Sequence, residues 1–449
     1  MTDLFLKKIM LISVQNVPKG VFYQARRAFL DYLACTVAGA NLFSKKCLDY
    51  IDSFEIGTEG VSVIGLSRKV SMQTAALLNG LNAHVMELDD GHRKGAVHVG
   101  ATIFSALLPV AEKEHLKLKD VLLGAIVGYE TTIRLACAVQ PGNKLRGYHA
   151  TGTCGTVGAT MAIAAALHFD FEQMKSAFSA AVTSAAGILE MQEDNADLKP
   201  LNVGRAAMDA VSAAYLGRAR FRAPKDALGG KRGFLAVMTD NPKTEFLTDF
   251  SKGELCILSI YNKPYASCRH THSAIESAMQ IRNQAGFRLE ELESVRVCTY
   301  KLAVAGHDHT QIDGISSAKM SMPYSVAVAL VTGKAGLNEF SEKMVSNSDV
   351  LNVACKVRVA EDDELTALCP QCRAAVVEVK TSSGTFCART DYPKGEPENP
   401  LTDDEFKQKV YGLLTYAGMN KCLCNEIWNE VMSETCDLER LLSYIQIKV

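Results

Sequence analysis

The sequence predicts a mainly α protein: a large all-helical domain drawn from both ends of the chain, with a smaller α+β domain inserted between them. Three observations carry this prediction. Through the first half, apolar residues recur at three- and four-residue steps, the period of a buried helix face. Near Cys256 the pattern changes to short alternating runs rich in β-branched residues, the signature of strands. After a turn-rich segment, Pro393 to Pro400, the helical period returns.

The elements follow in order. Helices are expected at Ala25 to Ala40, Met72 to Met86, Ala101 to His115, Leu118 to Val139, Val157 to Leu167 and Phe171 to Met191. Several are apolar nearly all round and rich in Ala and Gly, as helices buried in a bundle are. Strands are expected within Glu291 to Ala305, at Val353 to Val359 and at Ala374 to Lys380. Thr385 to Ala388 would pair back across Ser382-Ser383-Gly384. Between them, Ser273 to Ala285 and Ser321 to Leu330 read as helices, which suggests an α+β layer. Thr402 to Gly418 and Asn425 to Ser443 are helical again, the first opening on acidic, cap-like residues. The domain boundaries are therefore placed at 1–258, 259–396 and 397–449, the first and last forming one helical domain. A boundary between domains is a common place for a pocket.

Composition narrows the function. Of 449 residues, 48% are hydrophobic and 22% charged, an ordinary globular balance that excludes disorder as a description of the whole chain. Lys+Arg number 48 against Asp+Glu 50, a net charge of −2, so no basic excess points to nucleic acid. No uninterrupted apolar run is long enough to suggest a membrane span. The N-terminal residues carry Asp3 and interrupt their apolar run with Lys7 and Lys8, unlike an export signal. The expectation is a cytoplasmic protein whose fourteen scattered cysteines are reduced. Cys369 and Cys372 are spaced for zinc, but Cys422 and Cys424 are not, so no metal is expected.

Six of the ten histidines fall in three polar clusters. The first runs from His84 through Glu87, Asp89, Asp90 and His92 to His98. Acids and imidazoles beside apolar helices are expensive to bury unless paired, which suits general acid–base chemistry as well as a solvated interhelical loop. No HExxH or calcium-loop pattern is present. The second cluster, Gly147 to Gly158, places Tyr148 and His149 before small residues and an Ala-rich helix. Its amides could meet a carboxylate or phosphate, or its glycines could serve close helix packing. The third, Tyr261 to His272, packs Lys263, Cys268, Arg269, His270 and His272 together, with Arg269 suited to a carboxylate. Lys199 opens another Ala-rich helix. His115, His168, His307 and His309 read as surface or loop histidines.

These segments together resemble the MmgE/PrpD family of 2-methylcitrate dehydratases. The carrying pieces are LDYLACTVAGA, LDDGH with HVGATIFSALLPVAE, GYHATGTCGTVGAT, LKPLNVGRAAMDAVSAAYLGRARF with GGKRGF, KPYASCRHTHSAI and KMSMPYSVAVALVTG, in the family's order. The resemblance implies a helical domain with a smaller lid domain, a homodimer, and catalysis with no metal or organic cofactor. It implies a small di- or tricarboxylate as substrate. Its members act as 2-methylcitrate dehydratases, cis-aconitate decarboxylases and iminodisuccinate epimerases. Carried over by motif, the catalytic candidates are His149, Lys199, Asp89, His98 and Tyr148; the substrate-binding candidates are Asp90, Lys263, Arg269, Cys268, His272 and Tyr324. Glu87 stands where family dehydratases and decarboxylases often have Asp, Gly91 where they have Thr, and Cys268 where some carry His.

The expected chemistry is removal of a proton α to a carboxylate. His149 serves as base or acid, Tyr148 as the opposing donor, and Lys199, Lys263 and Arg269 neutralise the substrate. The Gly152–Gly155 amides and Lys199 are candidates for the developing enediolate. A dehydratase-like hydro-lyase is the leading expectation, with an epimerase or a decarboxylase as alternatives.

Overall fold

A computed structural model describes residues 1–12, 16–57, 59–192, 196–250 and 254–446. The chain divides into two units. One comprises Met1–Met191, Leu198–Ile260 and Asp403–Val449; the other comprises Gln192–Asp197 and Tyr261–Thr402.

The first unit is helical: α1 (Thr2–Met10), α2 (Lys19–Phe54), α3 (Met72–Val85), α4 (Gly100–Lys113), α5 (Leu118–Val139), the single turn α6 (Gly142–Leu145), α7 (Ala150–Ala166), α8 (Phe171–Ser184) and α9 (Leu201–Arg218). A two-residue hairpin, β1 (Val61–Ser62) with β2 (Lys69–Val70), precedes α3. Helix α5 is long and apolar enough to cross a membrane by length and composition alone, yet 94% of its most apolar stretch is buried within the protein. Helix α7 has apolar and small residues on every face and is buried on nearly all of them, as expected of a central helix.

Three helices from the C-terminal part, Asp403–Tyr416, Lys421–Met432 and Leu438–Tyr444, return to this unit. Arg27 of α2 ties them in: it is ion-paired with Asp403, and its guanidinium lies 4.2 Å from the centre of the Phe406 ring. The helix expected over Asn425 to Ser443 is two helices, broken between Met432 and Leu438.

One close approach positions the site. Helices α3 and α9 cross where Gly80 meets Gly204, and a Cβ on Gly80 would lie 2.5 Å from the Gly204 Cα. Only paired glycines allow this crossing. It brings the residues just after α3 to those just before α9, so that Glu87 meets Lys199.

The second unit holds a four-stranded sheet of order β4 (Val357–Glu361), β3 (Leu292–Thr299), β5 (Ala375–Thr381), β6 (Gly384–Thr390). β3 pairs parallel with β4 and antiparallel with β5, Val295 opposite Val379 and Val297 opposite Val377. These four valines are buried, and the helices His272–Arg282 and Met322–Thr332 pack with the sheet. β5 and β6 form the expected hairpin. Val353 is not in a strand: it lies in the helix Ser348–Ala354, and β4 begins at Val357. The alternation of VACKVRV is real only in its second half, because Asn347 caps a helix over the first.

Candidate active site

The first cluster folds around one carboxylate. His84 lies in the last turn of α3 and is fully buried. The chain then turns through Glu87, whose φ of +55° is left-handed and unusual for a residue with a side chain. This brings Asp89 back against α3. Its Oδ2 lies 2.9 Å from His84 Nδ1 and 3.2 Å from His98 Nδ1. His98 Nδ1 also lies 3.0 Å from the Asp90 carbonyl oxygen. Because both neighbours are acceptors, His98 Nδ1 carries a proton. Burial opposes the charge on Asp89, but His84 and His98 outweigh it and hold the carboxyl well below the usual carboxylate range.

Asp90 does different work. Its Oδ1 accepts the Gly100 amide at 2.8 Å, and its Oδ2 accepts the Tyr129 hydroxyl, fixing the entry to α4. Burial pushes its carboxyl up to about 7, against the Tyr129 bond and with further help from Asp31 and Asp89. The folded value lies above the unfolded one, so the protonated form is favoured in the fold. This contribution to stability is complete below about pH 4 and is lost as the pH rises through 7. Asp90→Asn is therefore expected to gain stability relative to the parent by about 2 kcal/mol between pH 5.5 and 8.5, at about 1.4 kcal/mol per pH unit until the pH passes about 7. Calorimetric midpoints at the two pH values test this; an equal difference at both would refute it.

His149 caps the N-terminus of α7 and is 7% exposed. Its backbone amide donates to the Gly187 carbonyl at 3.0 Å, and Tyr148 bridges to Ile188, so two neighbouring segments pin the backbone. Its Nδ1 is buried and has no hydrogen-bond partner. Its ring centre lies 6.2 Å from that of His84 and 6.4 Å from that of His98. Burial first, then the neighbouring His84, Lys199 and His98, push its imidazole well below the usual histidine value and keep it neutral. Lys199, its side chain 13% exposed, is ion-paired with Glu87. Tyr148 is half-buried.

Helix α7 begins at Ala150, seven residues earlier than expected, which changes the role of the glycines. The Gly152 and Thr153 amides donate to the His149 carbonyl, so they do not form an open anion cradle. Gly152 instead allows close packing: a Cβ there would lie 2.3 Å from the Ala186 oxygen. Among the described residues, His84, Asp89 and His98 form a group whose donor atoms all lie within 4.8 Å of one another. A cation there would have to displace both Nδ1–H contacts to Asp89, so the geometry fits a hydrogen-bonded triad better than a metal centre.

The second unit carries its own cluster. Lys263 is buried to 1% exposure and is among the largest fully buried side chains. Arg269 is buried and ion-paired with the buried Glu396; its guanidinium lies 5.2 Å from the Tyr261 ring centre, and its Nη1 has no hydrogen-bond partner. The other three candidates are engaged within the unit. His272 Nε2 lies 3.2 Å from the Ser267 carbonyl oxygen. The Tyr324 hydroxyl donates to the Glu339 carbonyl at 2.8 Å. Cys268 Sγ lies 3.2 Å from His307 Nε2.

The MmgE/PrpD N-terminal domain matches residues 5–247 and the MmgE/PrpD C-terminal domain matches residues 265–432. The chain belongs to the MmgE/PrpD family. Among its relatives, "Cis-aconitate decarboxylase-like protein oryM" of Aspergillus oryzae is 27% identical, over 96% of this chain and 90% of that protein. "Cis-aconitate decarboxylase" of Aspergillus terreus is 25% identical, over 98% and 94%. A human protein of the same name is 23% identical, over 91% and 86%. These relatives are lyases by name, so the chain is similar to enzymes along nearly its whole length.

Within this MmgE/PrpD chain, four contributors escaped the sequence reading as site residues. His84 and Glu87 were visible in the first cluster, but only the turn after α3 shows that one holds Asp89 and the other Lys199. Lys409, from the helix Asp403–Tyr416, donates to the Leu88 carbonyl at 2.7 Å and pairs with Asp31 at 2.5 Å, bracing the loop. His307 is not a surface histidine: it is buried to 8% exposure against Cys268. His115 and His168, by contrast, are exposed as expected.

Proposed function

We propose that this protein is a lyase for a small polycarboxylate, working by proton transfer at a carbon α to a carboxylate, with decarboxylation of a cis-aconitate-like acid as its reaction. The observation that carries the proposal is His149: a buried imidazole, kept neutral and with an unpartnered Nδ1, beside the His84–Asp89–His98 triad and the Lys199 ammonium. The relatives' names support the choice of decarboxylation.

The chemistry is consistent with these groups. cis-Aconitate is a β,γ-unsaturated acid. When its carboxyl on the saturated carbon leaves as carbon dioxide, the bonding pair shifts through the double bond to the carbon α to another carboxylate. That carbon must receive a proton. Burial and the neighbouring His84, Lys199 and His98 keep His149 neutral. A substrate with several negative charges reverses that field and favours the imidazolium, which then protonates the developing carbanion. Lys199 holds a carboxylate and stabilises the charge that spreads onto it.

Dehydration of a 2-methylcitrate-like acid is the second reading. Two separately held imidazoles favour it, because dehydration needs a base at the α carbon and an acid for the departing hydroxide. His98, held on Asp89 through its Nδ1, and His149 are such a pair. Epimerisation begins with the same proton removal.

Proton NMR in deuterated water, with citrate-, aconitate- and aspartate-like acids, tests the proposal. Decarboxylation of cis-aconitate gives two geminal vinyl protons and one deuterium on the adjacent saturated carbon. An unsaturated product from 2-methylcitrate, its methyl now a singlet on the double bond, with no carbon dioxide would replace the first reading by the second. Deuterium entering an unchanged molecule would indicate an epimerase. No change with any acid would overturn the proposal.

A further inference from the structure

We propose that Cys268 and His307 form an activated thiol–imidazole pair, a covalent modification site that takes α,β-unsaturated carboxylic acids. The proton transfer proposed above uses neither residue.

The pair is built rather than incidental. Cys268 precedes the short turn Arg269–Thr271, and its backbone is held on both sides: its amide donates to the Lys319 carbonyl at 2.9 Å and its carbonyl accepts the Thr271 amide at 3.0 Å. His307 is fixed as firmly. Its carbonyl accepts the Met322 amide at 2.7 Å and its amide donates to the Val304 carbonyl. Its Nδ1 lies 2.8 Å from the Ala305 carbonyl oxygen, so Nδ1 carries the proton. Nε2 therefore turns a lone pair toward Cys268 Sγ, 3.2 Å away. A nucleophile, a base and a group that orients the base form the arrangement that activates a thiol.

Charged and titratable groups surround the pair. Arg269 is the next residue, and Lys319, in the short helix Ile315–Met320, accepts the Cys268 amide on its carbonyl. The His270 ring centre lies 5.1 Å from that of His307, and His270 Nδ1 lies 2.6 Å from the Tyr300 hydroxyl. Arg373 acts on Tyr300 from the strand side. Glu396, the acid on Arg269, is the opposing charge. Cys268 is half-buried, so reagents can reach it, and it forms no disulfide.

The reaction balances within the pair. His307 Nε2 takes the thiol proton. The thiolate sulfur bonds the β carbon of the unsaturated acid, the double-bond pair moves to the α carbon, and that carbon takes the proton back from the imidazolium. The net change is addition of S–H across C=C. The choice of an unsaturated acid as natural partner rests on the proposed lyase function, whose products are such acids. The activation of the thiol does not.

The experiment separates the two. Whole protein is treated with iodoacetamide, and separately with monomethyl fumarate, and modification of each cysteine is followed by peptide mass spectrometry. At pH 7 Cys268 is expected to react with iodoacetamide roughly tenfold faster than the exposed thiols Cys355, Cys387 and Cys422. His307→Asn should abolish that advantage, and the parent's rate should level off below the pH at which those three thiols ionise. If Cys268 is no faster than they are, or its advantage survives His307→Asn, the pair is refuted. The parent's pH profile decides alone should the variant fail to fold. Monomethyl fumarate should add 130 Da, its own mass, at Cys268 in preference to the other thiols, on the order of tenfold. Activation with iodoacetamide but no such preference would overturn the ligand class while leaving the lyase proposal untouched.

Discussion

His149→Ala will lower kcat by roughly 10²–10⁴-fold, the usual contribution of a positioned general acid or base. The fold should survive. The side chain's Nδ1 makes no hydrogen bond, and the bond that pins the segment, from the His149 amide to the Gly187 carbonyl, belongs to the backbone. Turnover measured by NMR on the substrate that the panel identifies, alongside the circular dichroism melting curve, separates chemistry from stability. Near-normal turnover with an intact melt would remove His149 from the mechanism.

Asp89→Asn will cost both activity and stability. The carboxylate receives an Nδ1–H from His84 and another from His98 on one oxygen. An amide turned to accept one of them has nothing comparable for the second. Breaking a buried charged contact of this kind typically costs about 3–5 kcal/mol. Freeing His98 to rotate or change tautomer should lower kcat by about 10²-fold or more. Asp89 lies well below its unfolded value, so its stabilisation is present above about pH 4 and is lost only as the pH falls through the folded value. The variant's stability deficit should therefore be largest near neutrality and shrink in strong acid. A deficit independent of pH would mean that the site is held by shape rather than by charge.

Much of the fold was legible because periodicity reports burial directly. The helix Leu118–Val139 has the bounds that its apolar spacing gives, and the β5–β6 hairpin follows from alternation around Ser382-Ser383-Gly384. The failures have physical causes. Glycine and threonine before an Ala-rich run look like a ligand loop, but in α7 they are the helix itself, thinned so that neighbours can approach. In the site, residue types were legible and partnerships were not. Which of two adjacent aspartates is ionised depends on imidazoles that face Asp89 and on a tyrosine from α5 that faces Asp90. His307 looked like a loop histidine because nothing in its neighbourhood of sequence mentions Cys268.

Under the proposed function, in which Lys199 takes a substrate carboxylate, the Lys199–Glu87 ion pair has a consequence for selectivity. A substrate carboxylate approaching Lys199 does not find a bare ammonium; it finds one that already has a counter-ion from its own chain. Binding is then an exchange between two carboxylates, and the gain is the difference between two similar attractions. A simple monoacid gains almost nothing by the exchange. An acid with further carboxylates can recover the balance through other contacts, so the resident glutamate works as a built-in competitor that sets a threshold of charge for any molecule to be held.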